Sequence, residues 1–185
     1  MPRKQRTGLT DRSGEDYQNM TDTTTDGHRL ELYVRSLAPT GGREAQEAAI
    51  ERLDRLERTG TVDAARVHVW GREIAPDSAA AGTESGRRVL DRIEAFETWA
   101  RRADVSLASF FRTREVHSEI TGRDYRTIVL PGMALAEYRD DTLAYVTPCS
   151  DDGQMTTVTD RLETLELAGR SESGSQPQLR EAVRE

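Results

Sequence analysis

The residues whose types and spacing suit chemistry are mostly arginines. Arg112, Arg114 and Arg126 fall on two extended segments that read as pairing strands, with Arg66 on another strand. Together on one sheet face they would make a cationic surface for an acidic ligand, a nucleic-acid backbone or an acidic partner. The ordinary alternative is cross-strand pairing with Glu115, Glu119 and Glu137. A second candidate is the loop Thr40-Gly41-Gly42-Arg43, between a strand and a helix. Free N–H groups and the helix dipole can hold an anion at such a place. The loop has neither the Walker spacing and lysine nor a dinucleotide fingerprint, and two glycines before a helix also serve simply as a tight turn.

Metal and nucleophile chemistry find less support. His28, His68 and His117 each fall on or beside a strand, without the close-spaced pairs of zinc sites. A metal site would need His68, His117 and Cys149 on one sheet face, whereas the ordinary place for His68 is the solvent side of its strand. Ser85 lacks the small-residue elbow that exposes a nucleophile. Cys149 follows Pro148 at a strand end, where a lone cysteine acts as a small buried hydrophobe. The reading is a non-catalytic binding or regulatory module with no catalytic residue, metal or cofactor. It works through a protein partner or self-association, with nucleic acid as the alternative.

Composition sets the background. A single lysine, Lys4, stands against twenty-five arginines in a chain of net charge −7. Arginine is a planar fork that stays paired and stacks on apolar surface, whereas lysine is a strongly hydrated point charge. Acidity with lysine avoidance suits a cytosol at very high salt, and Arg-rich codon usage is the plainer explanation. Residues 28–150 are near balance, with twenty acids and eighteen arginines, while the end from Asp151 is net acidic. One cysteine permits no internal disulfide. No apolar stretch follows the basic amino end, and the run Ile128–Ala136 is broken by Pro131-Gly132 and too short to span a bilayer. The expectation is a cytoplasmic protein with no membrane contact.

These residues need elements to position them. Leu30, Leu32 and Val34 alternate with Arg29, Glu31 and Tyr33, which predicts a half-buried strand. Ala45, Ala49, Leu53 and Leu56, with Ile50, recur at helical spacing, and Gly60 stops that helix. Val67 and Val69 mark a second strand, completing a parallel βαβ unit. Thr83 caps a second helix along Val89, Ile93, Phe96 and Ala100. Strands follow at 110–117, 125–130, 133–138 and 142–147, with Asp140-Asp141 as a tight hairpin turn. A short helix over 158–165 closes the chain. The fold class is α+β: a mixed sheet in the order β-α-β-α-β-β-β, two main helices on one face and a short C-terminal helix. Residues 28–167 form one domain between a disordered N-terminal tail (1–27) and a disordered acidic C-terminal tail (168–185), since neither end carries enough apolar surface to offset ordering.

Several motifs carry a resemblance: the SLAP turn at 36–39, VWG at 69–71, FFRTREV at 110–116, LPGMALAEYRDD at 130–141 and the final PC at 148–149. Together they span most of residues 28–149 and resemble a family of short haloarchaeal proteins carried as "HTH domain" proteins. The resemblance implies a halophilic, cytosolic setting and a DNA-binding transcriptional regulator. In that role Arg52, Arg55 and Arg58 of the first helix would be the phosphate or base contacts. The same helix sets Glu44, Glu47, Glu51, Asp54 and Glu57 among its arginines, and a strand rather than a helix precedes it.

Overall fold

The strand β1 (His28–Val34) is buried on both faces, and the architecture follows from that. Leu30, Leu32 and Val34 are fully enclosed on one side, while Glu31 and Tyr33 are 3% and 6% exposed on the other. A strand so buried must sit inside a sheet with helices on both faces. The computed structural model describes residues 27–119 and 122–173. Of the expected tails 1–27 and 168–185, residues 1–26 and 174–185 lie outside the described residues.

In the main sheet β1 pairs in parallel with β2 (Ala64–Val69), through the crossover helix α1 (Arg43–Arg58). On its other side it pairs antiparallel with β6 (Met133–Arg139), which pairs with β7 (Thr142–Thr147). The order is β2-β1-β6-β7. Asp140 and Asp141 both have positive φ (47° and 60°), the two-residue hairpin geometry whose twist matches the flanking strands.

The α+β class and the mixed sheet are as the sequence reads, but the helices are not on one face. Leu30, Leu32, Val34 and Leu135 meet α1 and α3 (Val158–Ser173), in one core with Leu53, Leu56 and Leu162. The opposite face meets α2 (Glu84–Ala103), where Tyr33, Ala134 and Val146 pack with Ile93 and Phe96. Tyr33 and Trp70 both belong to this core. Thr83 caps α2 as expected, accepting from Gly86 N–H at 3.0 Å. The stripe of α1 starts at Gln46, not Ala45, and buried Gln46 donates to Ser36 O at 2.9 Å.

The sheet is also not one sheet. The strands β4 (Arg112–Ser118) and β5 (Arg123–Val129) form a separate antiparallel ribbon, joined at its base by the two-residue β3 (Glu73–Ile74). A further hairpin pairs β8 (Cys149–Asp151) with β9 (Gln154–Thr156). The closing helix, expected over 158–165, runs on to Ser173 and through the expected boundary at 167.

Candidate functional site

The parallel strands β1 and β2 end at Val34 and Val69, and the chain places an arginine just past each end. Arg35 follows β1 directly, and Arg72 follows β2 across the turn at Gly71, whose φ of 85° suits glycine. The ribbon base comes up against them through β3. Arg112 and Arg114 alternate along β4 with Thr113, so both point to one side of the ribbon. All four arginines line one groove of about 770 Å3, with Glu73, Thr113 and Val129.

The groove has a fixed and a free part. Arg35 is held by its Nε, which donates to Leu130 O at 2.9 Å, and by a second bond from Nη2 to the same oxygen. Leu130 N–H in turn donates to Arg72 O at 3.0 Å, tying the Arg72 backbone to the end of β5. Arg114 Nη2 donates to Glu73 Oε2 at 2.6 Å. Among the described residues Arg72 and Arg112 have no ion pair, and both are exposed. One carboxylate therefore faces four guanidiniums in an acidic chain. Guanidiniums present a planar fork of donors that matches phosphate and carboxylate oxygens.

A shallower depression of about 380 Å3 continues from it and shares Arg35, Arg112 and Val129. Phe110, Met133 and Met155 make its wall apolar, and Met155 is exposed.

The candidate face is thus divided. Arg112 and Arg114 come together, joined by Arg35 and Arg72, which sequence reasoning missed. Arg126 faces Glu115 across the ribbon, on the side away from Arg112 and Arg114. Arg66 lies half-buried in the other sheet, opposite Glu31. The signal for Arg35 and Arg72 was positional, because loops past the carboxyl ends of parallel strands are where ligands bind in α/β units.

The α1 arginines are turned to another task. Arg52 donates to Thr159 O at 3.4 Å, and Arg55 Nη1 lies 3.4 Å from Glu166 Oε1, so both bond α3, Arg55 from an exposed position. Arg58 stays exposed at the end of α1. In the Thr40–Arg43 loop, Gly42 adopts a left-handed conformation at the helix start, and Arg43 lies along α1, 3.6 Å from Glu47.

The three residues weighed for a metal lie apart. His68 is in the main sheet, His117 on the ribbon beside Asp124 at 2.7 Å, and Cys149 is buried in β8. His68 is not a solvent-side residue, since it stacks on Tyr33 at 5.1 Å. Among the described residues no three His, Cys, Asp or Glu gather as a metal site. No helix among them is long and apolar enough to cross a membrane.

A family model described as a helix-turn-helix domain matches residues 22–170, nearly all of the folded region. The chain belongs to that family. Comparison with curated proteins and with solved structures gives no match. A tandem helix-turn-helix joins two successive helices by a short turn. In this member of the helix-turn-helix family, β1 precedes α1, β2 and β3 separate α1 from α2, and strands separate α2 from α3. The helices that pack together, α1 and α3, are the first and last of the described chain. In this family member a cluster of arginines gathers instead on the groove and the ribbon.

Proposed function

We propose that this protein is a non-catalytic DNA-binding regulator that holds the phosphate backbone in its arginine groove. Arg72 and Arg112 make the free contacts, Arg114 adds a third, and Arg35 stiffens the floor. The observation that carries the reading is two guanidiniums unpaired among the described residues beside two anchored ones, with Glu73 as the one carboxylate among the groove residues. Family membership points to the same class of partner. A two-stranded antiparallel ribbon fits the DNA major groove, and β4–β5 presents exposed His117, Tyr125 and Arg126 beyond the groove. Phosphate contacts position a protein and base-edge contacts specify sequence, so affinity belongs to the groove and any sequence preference to the ribbon.

The test is fluorescence anisotropy of the full chain with a labelled random-sequence duplex across KCl concentrations. Arg72→Glu with Arg112→Glu is expected to weaken binding at every salt concentration and to reduce the slope of log affinity against log salt by roughly two. Arg52→Ala with Arg55→Ala is expected to leave binding unchanged, because both side chains already bond α3. Absence of salt-dependent binding by the wild type, or loss in the α1 variant with retention in the groove variant, would overturn the assignment.

A further inference from the structure

A second cavity, of about 420 Å3, lies between the edge strand β2 and the start of α2. Its inner lining is aromatic. Tyr33 stacks on His68 with centroids 5.1 Å apart and planes 24° from parallel, and Trp70 lies 5.0 Å from Tyr33. The mouth is polar, formed by Ser85, Arg88 and Arg92 of α2 with Asp91 between them. The two arginines are already matched. Arg88 pairs with Glu84, and Arg92 donates to Tyr138 Oη at 2.6 Å and has Glu31 at 3.8 Å. An anion would have to displace one of these pairs.

Two ring nitrogens of lining residues, Trp70 Nε1 and His68 Nε2, are buried and meet no hydrogen-bond partner among the described residues. Trp70 is only 6% exposed. Few buried polar atoms in native proteins are left so. Burial lowers the His68 pKa below its ordinary value. Glu31 opposes this, and Arg92, Arg66 and Arg29 reinforce it. A neutral imidazole offers one donor and one acceptor. His68 is half-buried on an edge strand, whereas Trp70 is enclosed by the core.

We propose that this cavity binds a planar heteroaromatic molecule of nucleobase size that carries no negative charge, stacked on the Tyr33–His68 pair and hydrogen-bonded to the Trp70 and His68 ring nitrogens. The flat aromatic lining selects a planar ring, the unmet nitrogens select ring heteroatoms, and the matched arginines at the mouth disfavour an anion. The volume is within the roughly 300–1,000 Å3 of small-molecule sites. The cavity also adjoins the arginine groove. Trp70 packs edge-on against Phe111 at 5.7 Å, the residue before Arg112, and is two residues from Arg72.

Ligand-observed saturation-transfer NMR on the full chain tests the site without DNA, using adenine and uracil as probes, with benzoate and cyclohexanol as comparators. Saturable binding of at least one base is expected, with benzoate roughly tenfold weaker and cyclohexanol unbound. Trp70→Phe keeps a ring and removes the N–H, and is expected to weaken base binding roughly five- to tenfold. Ser85→Trp, on the exposed first turn of α2, plugs the mouth and is expected to abolish binding with the circular-dichroism spectrum and melting temperature unchanged. The proposal is overturned if neither base binds saturably, if benzoate or cyclohexanol binds as well as the bases, or if the Ser85→Trp variant binds undiminished. The groove variant Arg72→Glu with Arg112→Glu is expected to bind the bases normally, which separates this site from the DNA reading.

Discussion

Glu137 is sealed between the main sheet and α3, 2% exposed, and three side chains converge on it. Arg161 Nε lies at 3.0 Å with a second, shorter bond from Nη2, Arg139 Nη2 at 3.0 Å, and His28 Nε2 at 2.9 Å. Burial alone would raise the carboxyl pKa. The hydrogen bonds from His28 and Arg161 outweigh it and hold the value at about 2. A carboxylate pKa depressed on folding contributes stability that is full above its unfolded value near 4.5 and is lost as pH falls toward about 2. Acid unfolding is therefore expected to steepen across that window, with on the order of 2–3 kcal/mol at stake. Glu137→Gln is expected to lose a similar amount at neutral pH, because it strands Arg161, and to flatten the acid limb. Urea melts at several pH values measure both, and an unchanged acid limb in the variant would assign it to other carboxylates. At this scale the sequence was legible where one strand carried the group, as for Arg112 and Arg114. It was not legible for Arg126, because pairing register decided its side, nor for Glu31 and Glu137, because alternation does not reveal whether a helix covers the polar face.

The helix α2 starts tight against the turn before it, and Gly86 is the contact. A Cβ there would sit 2.1 Å from Ala80 O and 2.7 Å from Ala81 Cα, both backbone atoms that cannot swing away. Helix propensity alone favours alanine over glycine by roughly 1 kcal/mol. Gly86→Ala is nonetheless expected to destabilise by about 2 kcal/mol or more, since the backbone must shift. Gly169 in α3 makes the comparison. Its Cβ would meet Thr61 Oγ1 at 2.4 Å and Cγ2 at 2.7 Å, side-chain rather than backbone atoms, so Gly169→Ala is expected to destabilise, but by less than Gly86→Ala. Denaturant melts of the two variants check the contrast, and equal effects would mean the Ala80–Ala81 turn yields more easily than its packing implies. Long elements with a sustained period were readable: α1, α2, β6, β7 and the Asp140-Asp141 turn. The two-residue β3 and the three-residue β8 and β9 are too short to show a period of two. The length of α3 was hidden because its apolar spacing, Val158, Leu162, Leu165, covers only its first half, and the residues from Ala168 onward read as tail.

Over the whole molecule, apolar stripes established that each helix buries one side but not which sheet face receives it, so α1 and α2 were read onto one layer. The observed sandwich of α1 and α3, sheet, and α2 lets each face enclose its own carboxylate, Glu137 on one and Glu31 on the other. Such enclosed charges are only weakly screened by salt, whereas exposed pairs such as Arg43–Glu47 contribute little at any ionic strength. The salt-sensitive remainder is the surplus of acid: net charge −7, with Asp140, Asp141, Asp151 and Asp152 exposed at two hairpin turns. Their mutual repulsion is felt at low ionic strength and fades as the Debye length contracts from about 10 Å at 0.1 M to about 3 Å at 1 M. The same change weakens phosphate contacts in the arginine groove, so fold and DNA affinity are expected to move in opposite directions with salt. The melting temperature of the full chain is expected to rise by a few degrees between about 0.1 M and 2 M KCl, a modest gain because the described core is nearly charge-balanced. Scanning calorimetry across that range decides it. A melting temperature that stays level or falls would mean that the preference for arginine over lysine reflects codon usage rather than adaptation to salt.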